Sequence, residues 1–118
     1  MDANTLLELL ESKRQRRSEK ITHLNLKHPP LIHEITVTEK QEVTDEIASC
    51  ESVDDKHKVV EKTVIRSMCG WDEAGEITDD HIKHLEGLYS GDVIIEIYKC
   101  VVDFGYLGEQ GISKAKKN

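Results

Sequence analysis

Val93-Ile94-Ile95-Glu96-Ile97-Tyr98-Lys99-Cys100-Val101-Val102-Asp103-Phe104-Gly105-Tyr106 is the stretch whose reading decides the fold. Its density of β-branched residues suits a strand. Ile94, Ile97, Tyr98 and Val101, however, recur at intervals of three and four, which puts them on one face of a helix. Ser90 offers a start and Gly105 a stop. The spacing therefore predicts a helix, and with it a mainly helical second half of the chain.

Upstream, Thr78 reads as the cap of another helix, with Asp79 and Asp80 against the positive end of its dipole and Ile82, Leu85 and Tyr89 on its buried side. The segment Trp71 to Glu76 is an acidic turn. Before it, Ser52-Val53-Asp54-Asp55 opens a helix with a Val60, Val64, Met68 stripe and Gly70 as a left-handed cap. Thr38-Glu39-Lys40-Gln41 has capping-box spacing and precedes Val43, Ile47 and Cys50 at helical intervals.

Two extended stretches come earlier, Ile21 to Lys27 and Leu31 to Thr38, separated by His28-Pro29-Pro30. In the second, Leu31, His33, Ile35 and Val37 alternate with Ile32, Glu34, Thr36 and Thr38, so one face is the more apolar. A hairpin follows, and helices must cover its apolar face. The expected class is mainly α (α+β), a small N-terminal β-hairpin packed on a bundle of about four helices. Val43, Ile47, Val60, Val64, Met68, Ile82, Leu85, Ile94, Ile97 and Val101 are expected to share one core.

The chain has 118 residues, 16 Lys and Arg against 23 Asp and Glu, and a formal charge of -7. One domain is expected, with a small core, since 37% of residues are hydrophobic and 33% charged. The longest apolar run, Val93-Ile94-Ile95, is cut by Glu96, far short of the roughly 18 residues of a membrane span. Leu6-Leu7-Glu8-Leu9-Leu10 follows Asp2 and contains a carboxylate, which disfavours a secretory signal. Cys50, Cys69 and Cys100 form no C-x-x-C pair and are odd in number; they are expected to be reduced and mostly buried, in a cytoplasm.

Charge is segregated. Lys13 to Lys20 holds five bases and one acid, whereas Glu39 to Asp103 holds seven bases and seventeen acids. Three parts are expected: a leucine-rich basic head, residues 1–20; a compact helical domain with the β element, residues 21–106; and a flexible basic tail, residues 107–118. The head should form a short helix from Thr5 to about Lys13, with Thr5 and Glu8 as its capping box. A helix of that length is marginal alone, so Leu6, Leu7, Leu9 and Leu10, followed by Arg14, Arg16 and Arg17, are the candidate partner-binding residues.

Motifs for chemistry are sparse. His81 and His84 sit on neighbouring turns beside Asp80, but zinc needs three or four converging donors. No serine or cysteine lies in a recognisable nucleophile motif, and Gly105, Gly108 and Gly111 follow a helix instead of joining a strand to one. The expectation is a protein that is not an enzyme, with no cofactor and no catalytic or metal residue. The run Lys13 to Lys20 supports an alternative, a small regulatory adaptor that contacts nucleic acid through residues 13–20, although the acidic body opposes it.

The succession of a short extended N-terminal part, a polar helix opening Thr38-Glu39-Lys40-Gln41-Glu42, then Val64-Ile65-Arg66-Ser67-Met68-Cys69-Gly70-Trp71, an acidic turn, Ile77-Thr78-Asp79-Asp80-His81-Ile82 and a closing helix resembles the tail assembly chaperones of long-tailed bacteriophages. The resemblance covers roughly residues 21–106; the leucine-rich head has no clear counterpart in it. It implies a non-enzymatic role in the host cell cytoplasm: binding the tape measure protein, recruiting tail tube protein, and leaving as the tube forms. Self-association through the head is compatible with it. In that family many members are also made in a longer, frameshifted form, which for this chain would place the join at Lys116-Lys117-Asn118.

Overall fold

Five helices and one two-stranded hairpin are formed by the residues that the computed structural model describes, 2–12 and 16–104. In chain order they are α1 (Ala3–Ser12), β1 (Ser18–Lys20), β2 (Leu31–His33), α2 (Val37–Ser49), α3 (Val53–Cys69), α4 (Asp79–Leu88) and α5 (Gly91–Asp103). The class read from the sequence is the class observed, and the ambiguous C-terminal stretch is a helix. Among the described residues no helix is long and apolar enough to cross a membrane.

Short polar side chains start the helices. The Ser52 hydroxyl accepts the Asp55 N–H at 3.1 Å and the Ser90 hydroxyl accepts the Val93 N–H at 3.4 Å. At α4 the Thr78 N–H donates to His81 Nδ1 at 3.0 Å, so an imidazole fills the place a glutamate usually takes in a capping box. Two starts differ from expectation. The head helix is capped by Asp2, whose Oδ1 accepts the Thr5 N–H at 2.8 Å, and begins at Ala3 instead of Thr5. α2 is capped two residues before the expected Thr38, by Thr36: its hydroxyl accepts the Glu39 N–H at 3.1 Å while Glu39 Oε1 accepts the Thr36 N–H at 2.9 Å.

The hairpin is real but its first strand lies earlier than Ile21 to Lys27. β1 pairs antiparallel with β2 in the register Ser18↔His33, Glu19↔Ile32 and Lys20↔Leu31. Residues 21–30 are the connection, closed where the Ile21 N–H donates to the Pro30 carbonyl at 2.9 Å and reversed at Asn25, which has φ 56°. A proline can accept in this way but cannot donate, so pairing on the other side of Pro29-Pro30 is carried by the residues before Ile21. The inward face of β2 is also the opposite of that expected. Ile32 is 1% exposed, whereas Leu31 is 40% exposed and Val37, now in the first turn of α2, is 72% exposed.

α3 is the central element, packed against β2, α2, α4 and α5. Ile21, Ile32 and Ile35 from the hairpin region meet Val64, Leu85, Ile94, Ile97 and Val101 in one core. Each such side chain contributes about 1.5–3 kcal/mol by leaving water. Val60 and Met68 pack against this core half-buried, Ile47 is half-buried, and Val43 and Ile82 are buried outside it. The hairpin-region isoleucines were absent from the expected core: period-2 alternation put Ile32 on the outward face, while Ile35, on the face expected to be apolar, and Ile21, in the first extended stretch, were not named in it. Cysteine burial is likewise lower than expected: Cys69 is exposed and Cys50 and Cys100 half-buried, and no disulfide joins them among the described residues. Cys69 lies one position round the helix from the packed Met68, which turns it outward.

α3 ends at Gly70, whose φ of 95° with ψ of 122° is glycine territory but not the left-handed cap expected. Arg66 lies over the Trp71 ring, 5.4 Å from its centroid, holding the turn that follows. The predicted stop at Gly105 and the tail, residues 107–118, lie outside the described residues.

Candidate partner-binding site

The described residues at the head of the chain fall into two parts with different surroundings. α1 displays Leu6 and Leu7 at 51% and 56% exposure. The side chains of Leu9 and Leu10, and Arg14 altogether, lie outside the described residues. Leu6 and Leu7 on a ten-residue helix form an apolar surface of the sort that partner binding covers.

Arg16 and Arg17, expected as part of the same free arm, are instead committed to the body. Arg16 makes a bidentate pair with Glu39, each nitrogen–oxygen distance 2.6 Å, and a second fork with Asp72 at 2.9 and 3.0 Å. Its Nη1 also donates to the Glu34 carbonyl at 3.0 Å. A guanidinium has five N–H donors, and these five bonds occupy all of them. The Arg16 and Glu39 side chains are 13% and 11% exposed. The hydrogen bonds from Glu39, then those from Asp72, raise the Arg16 pKa further still. For Glu39, burial alone would raise the pKa; the Arg16 hydrogen bond, the Thr36 N–H and the Arg16 charge together outweigh it and hold the carboxyl below its ordinary range.

Arg17 pairs with Glu34, Nη2 to Oε2 at 2.8 Å, and its guanidinium stands 5.7 Å from the centre of the Phe104 ring. It remains 68% exposed, so this surface pair is weak in water. Arg16, Arg17 and β1, read from the sequence as part of the head, residues 1–20, are thus bonded to the body. The reason is electrostatic: bases read as a solvated run face the carboxylates of Glu34, Glu39 and Asp72, 17 to 56 residues away in sequence.

His81 and His84 are exposed, and His81 is used as the α4 cap. Among the described residues no three His, Cys, Asp or Glu side chains are grouped as a metal ion would require. Glu39 and Asp72 were missed by sequence reading. The capping-box glutamate was visible as Thr36-x-x-Glu39, but nothing local signals a partner at Arg16. No protein-family model, no curated protein and no solved structure matches the chain.

Proposed function

We propose that this chain is a non-enzymatic assembly chaperone of the phage-tail type, which covers an apolar stretch of helical tape measure protein in the host cell cytoplasm and assists tail tube assembly. The observation that carries the reading is the outward Leu6–Leu7 pair on α1, joined through Arg16 to a folded acidic body. An amphipathic helix seated on that pair is helix-on-helix recognition, with Leu6 and Leu7 as anchors. The nucleic-acid adaptor reading is weakened because all five Arg16 donors are taken and Arg17 is paired with Glu34, leaving fewer bases for phosphate.

Co-purification with a tape measure protein fragment tests this. The intact chain should retain the fragment; Leu6→Asp combined with Leu7→Asp should release it without moving the melting temperature. Retention by the double variant excludes α1 as the site. A chain lacking residues 1–14, compared with the intact one by mass in solution, reports whether α1 also pairs with a second copy. Gene order is an independent check: a long coding sequence for a helical protein immediately downstream is expected.

A further inference from the structure

Among the described residues β1 pairs with β2 alone, and Ser18, Glu19 and Lys20 are all exposed. In an antiparallel ladder every second residue exchanges its N–H and C=O with the neighbouring strand, and the residues between turn theirs the other way. The Ile21 N–H donates to the Pro30 carbonyl at 2.9 Å and the Glu34 N–H to the Arg17 carbonyl at 2.7 Å, which places Arg17, Glu19 and Ile21 at the exchanging positions. Ser18 and Lys20 therefore present their N–H and C=O groups to the open edge, just as His33, opposite Ser18, presents its own to Ser67 on the far side. Among the described residues no backbone group bonds to them there. The charged side chains of this strand are also incompletely used. Arg17 gives Nε and Nη2 to Glu34, which leaves both Nη1 donors without a partner among the described residues, and Glu19 makes no ion pair among them.

We propose that the open edge of β1 pairs antiparallel with β1 of a second copy of this chain, about a two-fold axis at Ser18, to make one four-stranded sheet in the order β2, β1, β1, β2. In that register Ser18 exchanges both backbone bonds with Ser18 of the second copy, and Arg17 of each copy faces Glu19 of the other. Those two pairs occupy positions without backbone bonds, where opposed side chains come closest. Each Arg17 then lies between Glu34 of its own chain and Glu19 of the second copy, with its spare Nη1 donors available to the latter. Lys20 comes opposite Arg16 of the second copy, whose charge is already answered by Glu39 and Asp72. The neighbouring registers that use the same backbone groups set Glu19 against Glu19 or Arg17 against Arg17, and like charges so opposed repel. Charges on a short edge strand usually guard it against stray pairing, and here they admit one alignment of the strand with itself. The occupant is a second copy because the complementary charges belong to β1, and a two-fold interface uses the same patch on both partners. The charge of -7 on each copy opposes their approach, so the dimer is weak. This surface is separate from α1 and does not depend on the chaperone reading.

The test is sedimentation equilibrium of the full chain at pH 7 over a range of concentrations, with hydrogen exchange of the Ser18 and Lys20 amides measured in the same samples. A monomer–dimer equilibrium with a dissociation constant of about 0.1–1 mM is expected, and the two amides should gain protection as the dimer forms. Ser18→Pro removes a donor that the hairpin does not use, so the chain should fold and stay monomeric. Should that variant fail to fold, charge exchange decides. Glu19→Lys and Arg17→Glu each set like charges face to face in both pairs and should each weaken self-association about tenfold or more, whereas an equimolar mixture of the two restores opposite charges and should associate again. Leu6→Asp combined with Leu7→Asp should leave the dimer intact. A chain still monomeric at about 1 mM would overturn the proposal and leave the edge to an extended segment of another protein. A dimer that survives both charge variants, a mixture that fails to associate, or a dimer lost only in the double leucine variant would overturn it too, the last by assigning self-association to α1.

Discussion

The Ser67 hydroxyl is bonded to both backbone groups of His33: it accepts the His33 N–H at 3.2 Å and donates to the His33 carbonyl at 2.8 Å. Among the described residues β2 has β1 on one side only, and its other edge would otherwise leave a partly buried N–H and C=O unpaired. A fully buried serine on α3 stands in for the missing third strand. The hairpin is thereby fixed to the central helix by hydrogen bonds as well as by Ile32.

Ser67→Ala removes that substitute strand and leaves both His33 groups unsatisfied. A loss of about 1–3 kcal/mol is expected, which in a domain of this size lowers the melting temperature by several degrees or more. Thermal unfolding followed by circular dichroism measures it; an unchanged midpoint would mean that water reaches this edge.

The inward face of β2 is open to a direct comparison of neighbours. Ile32→Ala, at a residue 1% exposed, should cost about 2–5 kcal/mol, whereas Leu31→Ala, at 40% exposure, should cost under about 1 kcal/mol. Urea unfolding of the two variants gives the ranking. A reversed order would restore the strand face that simple alternation implies.

Arg16→Lys keeps the charge but cannot form the two forks. A point ammonium meets Glu39 or Asp72, not both in parallel, so about 1–3 kcal/mol should be lost, close to the loss in Arg16→Met. Full recovery of stability by lysine would show that charge alone suffices.

Glu39 and Glu61 should give stability opposite dependences on pH. The Glu39 pKa is lowered on folding, so its contribution is present above the ordinary value of 4.5 and disappears as pH falls through the folded value. The Glu61 pKa is raised, by burial first and then by the charge of Glu86, so its contribution is complete below 4.5 and is lost as pH rises through the folded value. Glu61→Gln should therefore stabilise the protein at pH 7, with the gain shrinking on acidification, while Glu39→Gln should destabilise it at pH 7. Denaturant unfolding across the acid range checks both signs.

The helices were legible because their signals are local: Ser52, Thr78 and Ser90 each sit at the start of a periodic run, and α5 shows its spacing despite its valines and isoleucines. The start of α2 was ambiguous because two capping boxes overlap, Thr36 with Glu39 and Thr38 with Gln41. The first is used, and the Glu39 it fixes is the one that also holds Arg16. β2 misled because Leu31 and Ile32 are both apolar, so alternation alone cannot say which points inward. The arginine network was hidden for a different reason. Arg16 and Asp72 are 56 residues apart, and only the packing of the α3–α4 turn brings them together.

The saturation of Arg16 also sets the reach of the chain's head. Four residue steps separate Ser12, the end of α1, from Arg16, a leash of at most about 14 Å. With the helical rise added, Leu6 can stand no farther than about 23 Å from that fixed point. A partner held on α1, as proposed, would therefore be kept beside the acidic body, at a high local concentration, and not free to wander as it would on a long linker.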